Sequence, residues 1–156
     1  MKLYLAQHGD SLPEEINSER PLSERGREDV QRVAQFVGAY GMRVKRVYHS
    51  GKLRARQTAE LFATEVASEE AVEAVAGINP NDAVDPMADR INSWTDDMLL
   101  VGHLPFLGRL IGRLVSGSSD QQVAAFTPGS IICLERNTQG RWTVAWMLRP
   151  ELLARM

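Results

Sequence analysis

The sequence predicts an α/β sandwich on a mixed sheet, and three observations carry that expectation. Short apolar runs of strand length alternate with longer segments whose apolar residues recur at helical spacing. Two late strand-like runs are joined by Asn137-Thr138-Gln139-Gly140, a hairpin signal that adds antiparallel pairing to an otherwise parallel arrangement. No repeat, low-complexity tract or linker divides the 156 residues, so one domain over 1–156 is expected.

Leu3 to Gln7 is short and apolar and reads as the buried opening strand. A polar stretch from His8 to Pro21 follows, punctuated by Gly9 and Pro13. Ser23 reads as an N-cap for a helix over Arg25 to Tyr40, in which Val30, Val33, Ala34 and Val37 share a face and Gly41 ends the run. Arg46 to His49 is a second strand and Leu53 to Val66 a second helix. Ala71 to Val75 reads as a third strand, with Asn81 capping a helix toward Trp94 whose start Pro86 restricts. Met98 to Val101 is a buried strand. Pro105 sits at the tolerated start of a helix continued by Phe106, Leu107, Leu110, Ile111 and Leu114. Ser130 to Arg136 and Trp142 to Met147 form the hairpin, and Glu151 to Met156 is a closing helical turn.

Composition excludes several classes. With 44% hydrophobic and 24% charged residues the chain is an ordinary globular one, and a net charge of -2 gives no basis for nucleic-acid or membrane binding. The N-terminus lacks a signal-peptide core, and no apolar run approaches the ~20 residues that span a bilayer. One cysteine, Cys133, forms no intramolecular disulfide, and its apolar neighbours mark it as buried and inert; a cytoplasmic location is expected.

In an open α/β sheet, ligands bind beyond the carboxyl ends of the strands. That rule selects Gln7, His8 and Gly9 after the first strand. It selects His49, Ser50 and Gly51 after the second, with Arg54 and Arg56 one turn on, and Gly102 and His103 after the Met98–Val101 strand. Histidines, arginines and close-approach glycines at one rim suit phosphoryl transfer through a covalent histidine. A neutral imidazole is a competent nucleophile when its other nitrogen is held by a backbone carbonyl, arginine forks orient phosphate oxygens, and a protonated second histidine stabilises the transferring charge. The scheme calls on no metal and no cofactor.

These residues fall into motifs: His8-Gly9 after a strand, Arg20-Pro21-Leu22-Ser23 with Gly26, Ser50 with Leu53-Arg54-Ala55 and Thr58, and Gly102-His103 with Pro105. In that order, and over nearly the whole chain, they resemble the histidine phosphatase superfamily, and within it the short phosphohistidine phosphatases of the SixA group. The resemblance implies a phosphoglycerate mutase-like three-layer α/β/α fold with about six strands in a mixed sheet. It implies that His8 is the nucleophile, His103 the second catalytic histidine and Arg54 a phosphate-binding arginine, with Arg20 lining the pocket. Gln7, Gly9 and Ser50 complete the expected phosphate site, Ser50 either capping the next helix or supporting the pocket.

One residue departs from the pattern. The family opens with Arg-His-Gly and this chain with Gln7-His8-Gly9. Glutamine keeps two N–H donors but lacks the charge and the fork, a loss of about 1.5–3 kcal/mol against a dianion. Retuned or weakened catalysis follows, with Arg20 or Arg56 in part compensating. The glutamate acid that mutases and many phosphomonoesterases carry after the third strand has no recognisable counterpart; Glu73 and Asp82 are the candidates there. A phosphoramidate needs less help from such an acid, and the short chain lacks lid insertions, so a phosphohistidine on a partner protein is the expected substrate. A small-metabolite phosphomonoesterase and a non-catalytic phosphate- or phosphoprotein-binding member are the alternatives. His49 is read as packing, Lys52, Arg25, Arg27 and Arg56 as a solvated face. The oligomeric state is left open.

Overall fold

The computed structural model describes residues 1–67 and 72–153. Its strands are β1 (Lys2–Gln7), β2 (Arg46–His49), β3 (Val72–Ala74), β4 (Met98–Gly102), β5 (Ile131–Arg136) and β6 (Trp142–Leu148), and its helices α1 (Glu24–Ala39), α2 (Leu53–Val66), α3 (Asp85–Asn92) and α4 (Phe106–Ser116). They form a six-stranded sheet in the order β3-β2-β4-β1-β5-β6. β1, β2, β3 and β4 run parallel, and the β5–β6 hairpin adds antiparallel strands beside β1. The sheet is mixed, as the alternation and the late hairpin predict.

Side-chain alternation along β1 explains the layering. Leu3 and Leu5 join a core with Leu100, Ile132 and the apolar faces of α3 and α4. Tyr4 and Ala6 join the opposite core with Val101, Ile131 and the faces of α1 and α2. Period-2 alternation therefore covers the sheet on both sides. Every residue of β4 is buried, consistent with its central place. Cys133 is buried and free.

Ser23 caps α1 as expected, its Oγ accepting the Gly26 N–H at 2.9 Å, and Gly41 follows the helix end at φ 92°. Several boundaries differ from the sequence reading, most by a residue or two. α3 starts at Asp85, not behind Asn81, because residues ahead of it form a turn in which Asp82 Oδ2 accepts the Asn79 N–H at 2.8 Å and Pro86 takes the first helical turn. β3 is confined to Val72–Ala74, and Ala71 lies outside the described residues. The closing turn is a short 3-10 segment, Pro150–Leu152, and residues 154–156 of the expected turn lie outside the described residues.

Candidate active site

The carboxyl ends of β1, β2 and β4 lie side by side, with Gln7 paired to Gly102 and His49 to Val101. This brings His8, Ser50 and His103 to one rim, and α2 presents Arg54 from its first turn. His8 Nδ1 lies 2.8 Å from the Gly9 carbonyl oxygen. A carbonyl only accepts, so Nδ1 carries the proton and Nε2 keeps its lone pair. The His8 and His103 rings approach with centroids 4.9 Å apart. His103 Nε2 lies 2.6 Å from Ser50 Oγ. Ser50 therefore supports the pocket; α2 is capped at Lys52 and not by a side chain.

Both histidines are held neutral. Burial first, then the Arg54 and Arg20 charges, bring His8 down to about 4, although its bond to Gly9 works the other way. Burial and the neighbouring charges of His8, Arg54, Lys52 and Arg20 bring His103 down to about 3. Arg54 is itself lowered by burial and by Arg20. Three buried polar atoms at this rim, Arg54 Nε, His103 Nδ1 and Gln7 Oε1, have no hydrogen-bond partner among the described residues. The unpartnered Arg54 Nε–H beneath converging positive charge suits an incoming anion, whereas Gln7 Oε1 is an acceptor and offers it nothing.

Arg20 reaches the same rim from the loop after β1. Its Nε donates to the Leu12 carbonyl at 3.2 Å and an Nη to Ser11 Oγ at 3.1 Å. Its φ of 51° lies in the left-handed region, ahead of Pro21, where an ordinary residue prefers extended backbone. The loop is tied down on both sides. Leu12 N bonds the Pro21 carbonyl at 2.9 Å, and the Leu22 N–H donates to Gln57 Oε1 at 2.8 Å.

Gly9 and Gly26 serve close approach. A Cβ on Gly26 would sit 2.0 Å from the Asp10 carbonyl oxygen, so only glycine lets α1 start against the His8 loop. Thr58, read from sequence as part of a small helix face, proves to be a positioning residue. Its Oγ1 accepts the Gly9 N–H at 3.0 Å and donates to the Arg54 carbonyl at 2.8 Å, linking the histidine loop to the arginine turn. The unusual polar residue on an otherwise apolar face is the signal that could have marked it. His49 is packing, as expected: it is buried, and its Nδ1 accepts the Gly51 N–H at 3.1 Å. Arg56 pairs with Glu60 at 3.2 Å on the solvated face. Lys52 differs from its sequence reading; it is half-buried and its charge acts on His103.

Neither candidate acid joins the histidines. Glu73 turns back toward Arg46, 3.8 Å away at the start of β2, and Asp82 holds the loop before α3. Among the described residues, no three His, Cys, Asp or Glu side chains converge as metal ligands, and no helix is long and apolar enough to cross a membrane.

Comparison with known proteins finds similarity to one family. Residues 3–79 match the histidine phosphatase superfamily, branch 1. Phosphohistidine phosphatase SixA of Escherichia coli strain K12 is 25% identical over 155 residues, covering 96% of this chain and 94% of the relative. The structure of the protein histidine phosphatase SixA complexed with tungstate superposes with a TM-score of 0.87 at 24% identity, over 98% of this chain and 99% of that one. Phosphoserine phosphatase from Entamoeba histolytica, in complex with 3-phosphoglyceric acid, superposes with a TM-score of 0.71 at 16% identity, over 94% and 95% of the two chains. At such identities the superpositions speak for the shared phosphoglycerate mutase-like fold.

Proposed function

The chain belongs to the histidine phosphatase superfamily, and we propose that it is a phosphatase working through a phosphohistidine on His8, with phosphohistidine of a partner protein as substrate. The observation that carries this reading is the tautomer of His8. Its Nδ1–H is committed to the Gly9 carbonyl, which leaves the Nε2 lone pair free beside His103 and Arg54. With a pKa brought down to about 4, that imidazole is neutral at neutral pH and its Nε2 is unprotonated.

Nε2 of His8 attacks phosphorus, and the new P–N bond forms as the bond to the leaving nitrogen breaks. With its other ring nitrogen protonated from solvent, the leaving imidazole departs as a neutral group. Water then attacks phosphorus, the P–N bond to His8 breaks, and inorganic phosphate and neutral His8 are released. Arg54 and Arg20 hold the phosphoryl oxygens through both steps. His103 changes state on binding. Its positive neighbours keep it neutral in the empty site, and a phosphate dianion beside it favours the protonated form, which donates to the developing charge.

The engagement of Glu73 with Arg46 and of Asp82 with its own loop supports a phosphoramidate, because an alkoxide leaving group needs a proton donor. A partner protein in the cytoplasm fits the single buried thiol. The test compares a phosphohistidine-bearing phosphotransfer domain with a panel of phosphate monoesters, following phosphate release by wild type and His8→Ala. The expected result is faster turnover of the phosphoramidate, abolished by the substitution. Preference for a monoester would replace the substrate reading, turnover by His8→Ala would overturn the mechanism, and phosphate binding without turnover would leave a binding protein.

A further inference from the structure

Gln7 leaves the phosphate site one positive charge short of its family pattern, and the position of Lys52 bears on that deficit. Lys52 is the residue at which α2 begins. Its backbone N–H lies 3.4 Å from Ser50 Oγ, which in turn lies 2.6 Å from His103 Nε2. Two residues on, Arg54 carries a buried Nε without a hydrogen-bond partner among the described residues. Arg56, in the same first turns of α2, is paired with Glu60. Lys52 forms no ion pair among the described residues, and the first turn of α2 contains no acid to attract it. Lys52 is half-buried.

We propose that Lys52 is a phosphate-binding residue of this site, and that its ammonium supplies from the start of α2 the charge that Gln7 does not supply from the end of β1. The inference rests on the phosphatase reading above and extends it to a residue outside the motifs that carry the family resemblance. The positive end of α2 favours an anion at the same place. A lysine ammonium on a flexible stem holds a phosphate as a point charge, without the fixed fork of arginine. The site therefore trades one rigid bidentate contact for one adaptable cation approaching from another side. The fall of His103 below the usual histidine range, to which Lys52 contributes, is consistent with this placement.

The experiment measures inorganic phosphate affinity by nuclear magnetic resonance titration, together with the His103 imidazole titration in phosphate-free buffer. Variants are Lys52→Met, Lys52→Arg, Gln7→Arg and the Gln7→Arg/Lys52→Met pair. Lys52→Met is expected to weaken phosphate binding about ten- to a hundredfold, the loss of one charged contact. Lys52→Arg should stay within about threefold, since it keeps the charge. Gln7→Arg should recover most of the loss in the Lys52→Met background and gain less in wild type, because the two positions serve one charge. The His103 pKa should rise in Lys52→Met, as removal of a positive neighbour requires; a lysine whose ammonium points away from the site would not move it. Phosphate affinity unchanged in Lys52→Met, or an equal gain from Gln7→Arg in both backgrounds, would overturn the assignment. Binding needs no turnover, so the two readings fail separately. Wild type that binds no phosphate sinks the phosphatase reading, whereas wild type that binds it equally well without Lys52 sinks only this one.

Discussion

At the scale of single residues, the proposed chemistry rests on Gln7, His8 and His103. Gln7 is buried and offers an amide where a guanidinium would bring charge. Gln7→Arg is expected to tighten inorganic phosphate by up to about tenfold while Lys52 is present, and a titration of phosphate into both proteins checks it. In the proposed mechanism His8 governs the acid limb of activity. Its pKa of about 4 lies below the ordinary histidine value of 6.5, so the nucleophile is protonated only below about 4. A pH profile of kcat/KM should therefore show no loss attributable to His8 as pH falls from 6.5 toward 5; a fall centred near 6.5 would show that His8 titrates normally. The motif residues of this site were legible in the sequence because each is a polar residue or glycine beyond an apolar strand. Lys52 was not legible, since a lysine at a helix start looks like any solvated lysine until burial and its neighbours are known. Arg20 was legible as a residue but not as a conformation, because nothing in Arg20-Pro21 announces a left-handed backbone.

α2 is the element that makes the site rigid. It supplies Arg54, bonds the Gly9 N–H through Thr58 and holds Leu22 through Gln57. Replacing Thr58 by valine keeps the volume and removes the acceptor, leaving a buried Gly9 N–H unpaired. The expected cost is about 1–3 kcal/mol, read as a lower urea midpoint at unchanged slope, with a loss of kcat beyond that expected from stability. At α1, Gly26→Ala drives a methyl into the Asp10 carbonyl, and the helix start must shift off the His8 loop. The helices with strong periodicity, α1 and α4, were legible nearly to their ends. α3 was not, because Asn81 and Pro86 both read as start signals and only the Asn79–Asp82 turn decides between them. The third strand was short and exposed, with little apolar pattern to mark its limits.

At the scale of the whole molecule, the strand order brings the ends of β1, β2 and β4 together and leaves the antiparallel hairpin beside β1. The alternation of strands and helices made the mixed sheet legible, whereas the order β3-β2-β4-β1 follows from crossovers that no local pattern records. Stability should carry the imprint of the site. His8 and His103 titrate near 4 and 3 in the folded protein against 6.5 as the ordinary value, so the unfolded chain takes up protons first as pH falls. Their contribution is complete above about 6.5 and is lost on acidification through about 4 and then 3. Urea midpoints from pH 7 to 4 should decline, and His8→Gln should flatten that decline. Bound phosphate should oppose unfolding by about 2.7 kcal/mol at roughly a hundred times its Kd. The central claim, a covalent phosphoryl group on His8, is tested most directly by mixing the protein with a phosphohistidine-bearing phosphotransfer domain at neutral pH, quenching within a turnover and mapping the modified residue by mass spectrometry. The account predicts an acid-labile phosphoryl group on His8 that is absent from His8→Ala. Rapid phosphate release with label on another residue, or with no labelled protein at any quench time, would contradict it.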